Sequence, residues 1–257
     1  MCDDPADPTT GPGAHGDCDS DTEPCPHCEY WNQDHVKEIN IMDDRYRVSS
    51  QTHARRKVYR FEGNLASMNA TVTIILGWGT IGANVTDAMK TAVKTALQND
   101  VTAAWSGKQS VRVTDPICGE KTLPINFRVL WNPDDTTDSV HYSVDLEKEP
   151  QRSGVAHPTF TLDHDADLDD DAWTMKHEFG HAFGMPDEYF YSGVTEATIE
   201  YKRADGSSET INLEPAASLM QTRRNTSVKK RFAYFAEIEA QALFREKSGR
   251  DVVCEIV

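Results

Sequence analysis

His177-Glu178-Phe179-Gly180-His181-Ala182-Phe183-Gly184-Met185-Pro186-Asp187-Glu188-Tyr189 is the stretch from which the rest of the chain is read. Two histidines four residues apart lie one above the other on a single helix face. At that spacing two imidazoles converge on one metal ion, with Glu178 beside it to handle a proton. Gly184 offers the helix a stop, because glycine tolerates positive φ at a helix C-terminus. The turn that follows can swing Asp187 or Glu188 back towards the ion as a third protein ligand. Three protein ligands leave one position for water, which a catalytic zinc needs and a structural zinc lacks. The competing reading is a helical face whose charges merely meet solvent. It does not explain why a helix-ending glycine and an acidic pair follow at these offsets. Upstream, Asp169, Asp170 and Asp171 are N-cap candidates and place acidic charge at the helix start.

The surrounding chain has 257 residues, 38% of them hydrophobic, which suits one sizeable soluble domain with an appendage. No apolar run approaches the roughly 20 residues of a membrane span. The longest, Val72-Thr73-Ile74-Ile75-Leu76, has strand length. Met1-Cys2-Asp3-Asp4-Pro5 shows neither the basic region nor the apolar core of a secretory signal. The expectation is a protein that stays in the cytoplasm, one exported by a non-classical or specialised route, or a piece of a longer chain. The net charge of −16 argues against nucleic acid, whose phosphates need clustered Lys and Arg. Half of that charge comes from eight acids in the first thirty residues, which hold no Lys or Arg. An acidic catalytic domain can favour basic substrates, although an acidic arm weakens that inference.

Residues 1–29, rich in Pro, Gly, Asp and Cys, read as an arm without its own core. Residues 30–62 are mixed and charged and are expected to pack on the domain surface. The division is therefore 1–62 as arm and surface segment and 63–257 as the catalytic domain. Cys25-Pro26-His27-Cys28 has the spacing of a half zinc knuckle or a redox pair, and Cys18, His15 and His27 can complete a small arm metal site with Cys25 and Cys28. Disulfide-bonded or free thiols on a flexible arm are the alternative, as is an arm thiolate that plugs the catalytic metal. Cys118 and Cys254 are candidates to pair in an oxidising compartment.

Ala70 to Leu76 reads as a buried strand, broken by Gly77-Trp78-Gly79. Asn84 to Trp105 reads as an amphipathic helix through Val85, Ala88, Met89, Ala92, Val93, Ala96 and Leu97, ended by Ser106-Gly107. Strands are expected at 111–113, 125–131, 140–146 and 160–162. Ala197 to Arg203 and Glu209 to Leu213 flank Asp205-Gly206, a hairpin signal. A helix from about Lys229 to Lys247 carries Phe232, Phe235, Ile238, Ala242 and Leu243 in one stripe, and Cys254 to Val257 is a tail or last strand. The fold class expected is α+β: a mixed twisted sheet with a long backing helix, an active-site helix and a C-terminal helix.

With these elements in order, the chain resembles zinc metallopeptidases of the metzincin type over roughly residues 69–248. That group's motif is HExxHxxGxxH, followed by a methionine-containing turn. His177, Glu178, His181 and Gly184 match, and Asp187 stands where the final histidine falls, as in the small snapalysin-like bacterial proteases. Ser218-Leu219-Met220 resembles the Met-turn. Ala103-Ala104-Trp105-Ser106-Gly107 resembles the end of the long helix that precedes the active site. Val155-Ala156-His157-Pro158 is similar to the edge strand that aligns peptide substrates. Effector proteases that bacteria inject into rivals or hosts often lack a classical signal, a weaker analogy.

The resemblance implies one catalytic zinc held by His177, His181 and Asp187, a protein or peptide substrate, and Glu178 as general base. Met220 would form a thioether floor under the imidazoles, with plain core methionine as the alternative. Glu188 would hydrogen-bond a turn amide or orient a ligand, or itself be the ligand. Tyr189 and Tyr191 are candidates to stabilise an oxyanion, and His157 and His164 to flank the cleft; packing and solvated surface are the plainer readings. Asp163, Asp165, Asp167 and Asp169 alternate as in a calcium loop, but Leu168 and Thr174 replace the glycine and the bidentate glutamate that such a loop needs. Arg223-Arg224 and Lys229-Lys230-Arg231 read as a solvated patch and a helix flank, or as a contact for an acidic arm or partner. Competing functions are a zinc amide hydrolase acting on cell-wall peptides and a non-catalytic metal-binding interaction protein. Glu178 counts against the latter, since a pure binding site has no use for a base.

Overall fold

The apolar run at 70–76 becomes the centre of a 13-residue strand, buried on both faces along most of its length. A strand covered on both sides loses the alternation of a half-exposed one and reads as a continuous hydrophobic segment. The computed structural model describes residues 26–48, 51–52, 55–147, 153–163, 168–189, 198–212, 218–221 and 225–257. In chain order the strands are β1 (His35–Asp43), β2 (Tyr46–Val48), β3 (Gln51–Thr52), β4 (Arg55–Asn64), β5 (Asn69–Ile81), β6 (Ser110–Asp115) and β7 (Gly119–Trp131). They continue with β8 (Tyr142–Glu147), β9 (Gly154–Ala156), β10 (Thr159–Asp163), β11 (Thr198–Lys202), β12 (Ser208–Asn212) and β13 (Val253–Ile256). The helices are α1 (Asp87–Thr95), α2 (Thr102–Trp105), α3 (Leu168–Ala182) and α4 (Tyr234–Ser248).

The fold is α+β, with a mixed main sheet ordered β13-β6-β7-β5-β8-β10-β9. β5 runs parallel to β7 and β8, and β8 parallel to β10, whereas β6, β9 and β13 are antiparallel to their neighbours. The edge of β5 opposite β7 is shared: β4 takes it over Asn69–Thr73, and β8 takes it from Leu76 onward. At this fork His141 donates its backbone N–H to Ile75 and accepts the Ile75 N–H on Nδ1, at 2.8 and 3.1 Å. The 77–79 segment does not end the strand. It continues to Ile81 with a register shift between Trp78 and Ile81, so the glycines mark a bulge.

The expected helix over 84–105 forms as α1, a π-helical stretch at Ala96–Val101, and α2. Its buried row is Val93, Leu97, Val101 and Trp105, one residue in every four. At 3.6 residues per turn such a row drifts about 40° per step. The wider i→i+5 winding of the π stretch absorbs that surplus and keeps Trp105 facing the core.

Two expectations need correction. The described part of residues 30–62 is not a separate surface segment: β1 pairs with β4 and β4 with β5, so a boundary at 62/63 falls inside β4. Ile39, Tyr59 and Phe61 from this stretch are core residues. The alternation of β4 was concealed because its inward row begins with Lys57, a charged residue. Second, Cys118 bonds to Cys28, while Cys254 is a buried free thiol. Cys28 therefore offers no thiolate to an arm metal site, and Cys18 and Cys25 lie outside the described residues.

The Cys28–Cys118 link closes a loop across a sequence separation of 90 residues and ties the first described turn to the β6–β7 hairpin. Restricting so long a loop in the unfolded chain stabilises a fold by about 2–4 kcal/mol. The Cys28→Ser/Cys118→Ser variant is expected to lose that much unfolding free energy in a guanidinium titration.

Candidate metal centre

α3 divides its residues between two faces. His177 and His181 form one row and Phe179 and Phe183 another, about 200° away around the helix. Phe183 meets Trp105 edge-on at 5.1 Å and stacks on Phe235 at 5.0 Å, and Phe179 packs against Phe127 and Phe183. Sinking the aromatic row into the core turns the imidazole row to the opposite side. α3 begins at Leu168, so Asp169, Asp170 and Asp171 fall within its first turn and not ahead of it. A calcium loop loses Asp169 to the helix by the same shift, and Asp165 and Asp167 lie outside the described residues.

Each imidazole is held through Nδ1. That of His177 lies 3.1 Å from the Leu219 carbonyl, and that of His181 lies 2.6 Å from the Met185 carbonyl. A carbonyl only accepts, so both Nδ1 atoms carry the proton and both Nε2 atoms present lone pairs. The lone pairs meet at one oxygen: Asp187 Oδ1 is 3.0 Å from His177 Nε2 and 3.2 Å from His181 Nε2. Two lone pairs and a carboxylate oxygen repel unless positive charge lies between them. The titration of His177 carries the same message: burial opposes its charged form, yet the Asp187 hydrogen bond, the Leu219 carbonyl and the charges of Glu178 and Asp187 raise its pKa. Tetrahedral coordination at about 2.0–2.1 Å sets neighbouring donor atoms about 3.3 Å apart, so these three need little movement to seat an ion. Glu178 is buried beside them, in a His177-Glu178-His181 group whose ligand atoms lie within 4.8 Å of one another.

The end of α3 is secured from β4 and β8. Lys57 Nζ donates to the His181 carbonyl, and the Tyr142 hydroxyl donates to the Ala182 carbonyl at 2.7 Å. These are carbonyls that the terminating helix leaves without a helical donor. Burial pulls the Lys57 ammonium down to about 7, with nearby Asp43 opposing the shift. Gly184 follows at φ +115°, and a Cβ there would lie 2.6 Å from Asp43 Oδ2, so both conformation and space call for glycine.

The acid next to Asp187 does different work. Glu188, only 2% exposed, accepts from Arg231 Nε and Nη2 at 2.6 and 2.7 Å, from the Tyr201 hydroxyl at 2.6 Å and from Ser218 Oγ at 2.5 Å. Its backbone N–H donates to the Met220 carbonyl at 2.8 Å. Of the two acids open as third ligand, Asp187 faces the imidazoles, while the Glu188 carboxylate engages these other groups. Arg231, expected on a solvated helix flank, is instead the counter-charge to this carboxylate.

Met220 is fully buried in the turn at 218–221, beneath α3. Its Sδ lies 2.6 Å, and Trp105 Cζ2 3.0 Å, from where a Cβ on Gly180 would stand. A glycine between the two histidines thus lets sulfur and indole approach the helix backbone. Trp105 Nε1 also donates to the Lys176 carbonyl at 3.1 Å.

A cleft of about 410 Å³ opens in front of Glu178, His181 and Asp187, bordered by β9, Arg55 and Tyr189. Tyr189 stacks on His177 with ring centroids 6.3 Å apart. His157 does not border the cleft; it packs edge-on against Tyr142 at 5.5 Å. Tyr191, His164, His15, Arg223 and Arg224 lie outside the described residues. Sequence reasoning missed Lys57, Tyr142, Arg55, Tyr201 and the role of Arg231. Only the two-residue repeat Lys57-Tyr59-Phe61 offered a signal for any of them. No family model, curated protein or solved structure matches the chain.

Alanine in place of a mid-helix glycine ordinarily stabilises a helix by about 1 kcal/mol. In Gly180→Ala the new methyl meets Met220 and Trp105, and overpacking of this kind costs about 1–3 kcal/mol. The expected result is a lower melting temperature by calorimetry. Arg231→Ala strands the Glu188 carboxylate and is expected to cost about 3–5 kcal/mol in a denaturant titration.

Proposed function

We propose that this chain is a zinc-dependent endopeptidase of metzincin type, with His177 Nε2, His181 Nε2 and Asp187 Oδ1 as metal ligands and Glu178 as general base. One observation carries the reading. Both histidine tautomers are set so that their lone pairs and a carboxylate oxygen converge, beside a second carboxylate, on the floor of an open cleft. Imidazole nitrogen with carboxylate oxygen is a donor set suited to zinc.

A zinc ion held by His177, His181 and Asp187 would polarise a substrate carbonyl and make water acidic enough to deprotonate near neutral pH. The chain's own residues do the remainder. Glu178 takes the proton from the attacking water and returns it to the leaving amine as the peptide bond breaks. Asp187 offsets part of the cation's charge, and the Leu219 and Met185 carbonyls keep the two rings in register. β9 is the last strand of the main sheet and lines the cleft, so an extended peptide can pair with Gly154–Ala156 and lie across Glu178. The Cys28–Cys118 disulfide supports export to an oxidising compartment, since such bonds are rare in reducing cytosol.

Glu178→Ala is expected to retain zinc by elemental analysis while cleavage of casein or a peptide library falls by about 10²–10⁴-fold. His177→Ala is expected to lose both metal and cleavage. Undiminished turnover in Glu178→Ala refutes its role as base. Zinc without proteolysis in the unaltered protein turns the reading to an amide hydrolase acting on cell-wall peptides or to a non-catalytic metal-binding interaction protein.

A further inference from the structure

Arg55 opens β4 on the same face as Lys57, because alternate residues of a strand point the same way. Lys57 reaches the end of α3; Arg55, roughly 6.6 Å further along the strand, borders the cleft together with Glu178, His181 and Asp187.

Five other arginines are each paired with an acid. Arg45, Arg60, Arg128, Arg231 and Arg250 sit on carboxylates at 2.5–2.9 Å. No hydrogen bond or ion pair ties Arg55 to another described residue. Of the charged groups bordering the cleft, Glu178, His181 and Asp187 belong to the metal centre, and Arg55 does not. The remaining lining residues, Ser153, Thr159, Thr161, Tyr189 and those of β9, have uncharged side chains.

We propose that Arg55 is a specificity residue that binds a carboxylate of the substrate, so that the cleft selects acidic peptides. The proposal rests on the peptidase reading above and names the substrate class of the same site. A guanidinium presents paired N–H donors in a fork that matches a carboxylate, and such charge-assisted pairs are the stronger hydrogen bonds. The net charge of −16 points the other way, towards basic substrates. Salt screens that diffuse field beyond about 8 Å at physiological ionic strength, so a cation at contact distance governs the bound complex. The carboxylate comes either from an Asp or Glu side chain or from the peptide's own C-terminus.

The test uses the zinc-loaded Glu178→Gln protein, in which bound peptide is not turned over, with zinc content verified by elemental analysis. Fluorescent peptides are compared in pairs, Glu against Gln at each position in turn, and free against amidated C-terminus. The charged member of one pair is expected to bind about ten- to a hundredfold more tightly, and the pair that shows this identifies the source. In Arg55→Gln/Glu178→Gln that ratio is expected to fall close to one, and Arg55→Lys is expected to restore part of it. Equal binding of charged and amide peptides, binding of neither, or a preference that survives Arg55→Gln overturns the proposal. If the unaltered protein binds the acidic peptide with this preference yet cleaves none, the peptidase reading fails and the assignment of Arg55 stands.

Discussion

One carboxylate holds the floor of the centre together. Glu188 joins the chain just after Asp187 to β11 through Tyr201, to the methionine turn through Ser218 and its own N–H, and to the approach to α4 through Arg231. A buried ion pair of this kind adds little stability over a well-packed apolar substitute, because desolvation offsets its attraction. What it contributes is geometry. With the guanidinium on both carboxylate oxygens, the turn can rotate only slightly, and its neighbour Asp187 keeps its oxygen at the two imidazoles. The carbonyl that orients His177 belongs to Leu219, on the same turn that Glu188 grips. The side chains that converge at the candidate centre are thus positioned by groups outside it.

The other side of α3 follows a comparable logic with the charges exchanged. Lys57, from β4, meets the helix's last carbonyls, where the helix dipole favours positive charge. Asp43 lies beside it near Gly184, in contact with Arg45, which in turn reaches Glu239 on α4. Because β5 is shared between β4 and β8, two separate strands can reach one helix terminus. The fork also leaves the Val58 N–H without a strand partner on β5, and it turns to the Tyr142 hydroxyl at 3.3 Å. That hydroxyl donates to α3 and accepts from β4, linking the core sheet to α3.

Local periodicity made the central elements legible before any coordinates. The β5 run, the HEFGH helix, the Asp205-Gly206 hairpin and the C-terminal helix all lie where spacing and turn chemistry put them. The failures share a physical cause: charge standing in for apolarity. β4 carries Lys57 at an inward position, and β1 surrounds its buried Ile39 with exposed residues, so neither shows an uninterrupted hydrophobic stripe. Arg231 had the composition of a solvated flank because its partner, Glu188, lies 43 residues away, and no local pattern encodes a pairing at that range. Cys28 and Cys118 were both visible as thiols, but a single sequence holds no information about which two meet. At the centre itself, motif spacing indicated the convergence of His177, His181 and Asp187. The carbonyls that set the tautomers come from turns whose shape only the fold reveals.

The bond between Cys28 and Cys118 has a consequence for how the molecule withstands a cut in its backbone. The β1–β4 hairpin, β5 and the backing helix all lie inside the covalent ring that it closes. A backbone cut anywhere within that ring severs the polypeptide without parting its pieces. The strand carrying Lys57 and Arg55 stays moored to the rest, and a nicked molecule can keep its working shape until a reductant opens the ring.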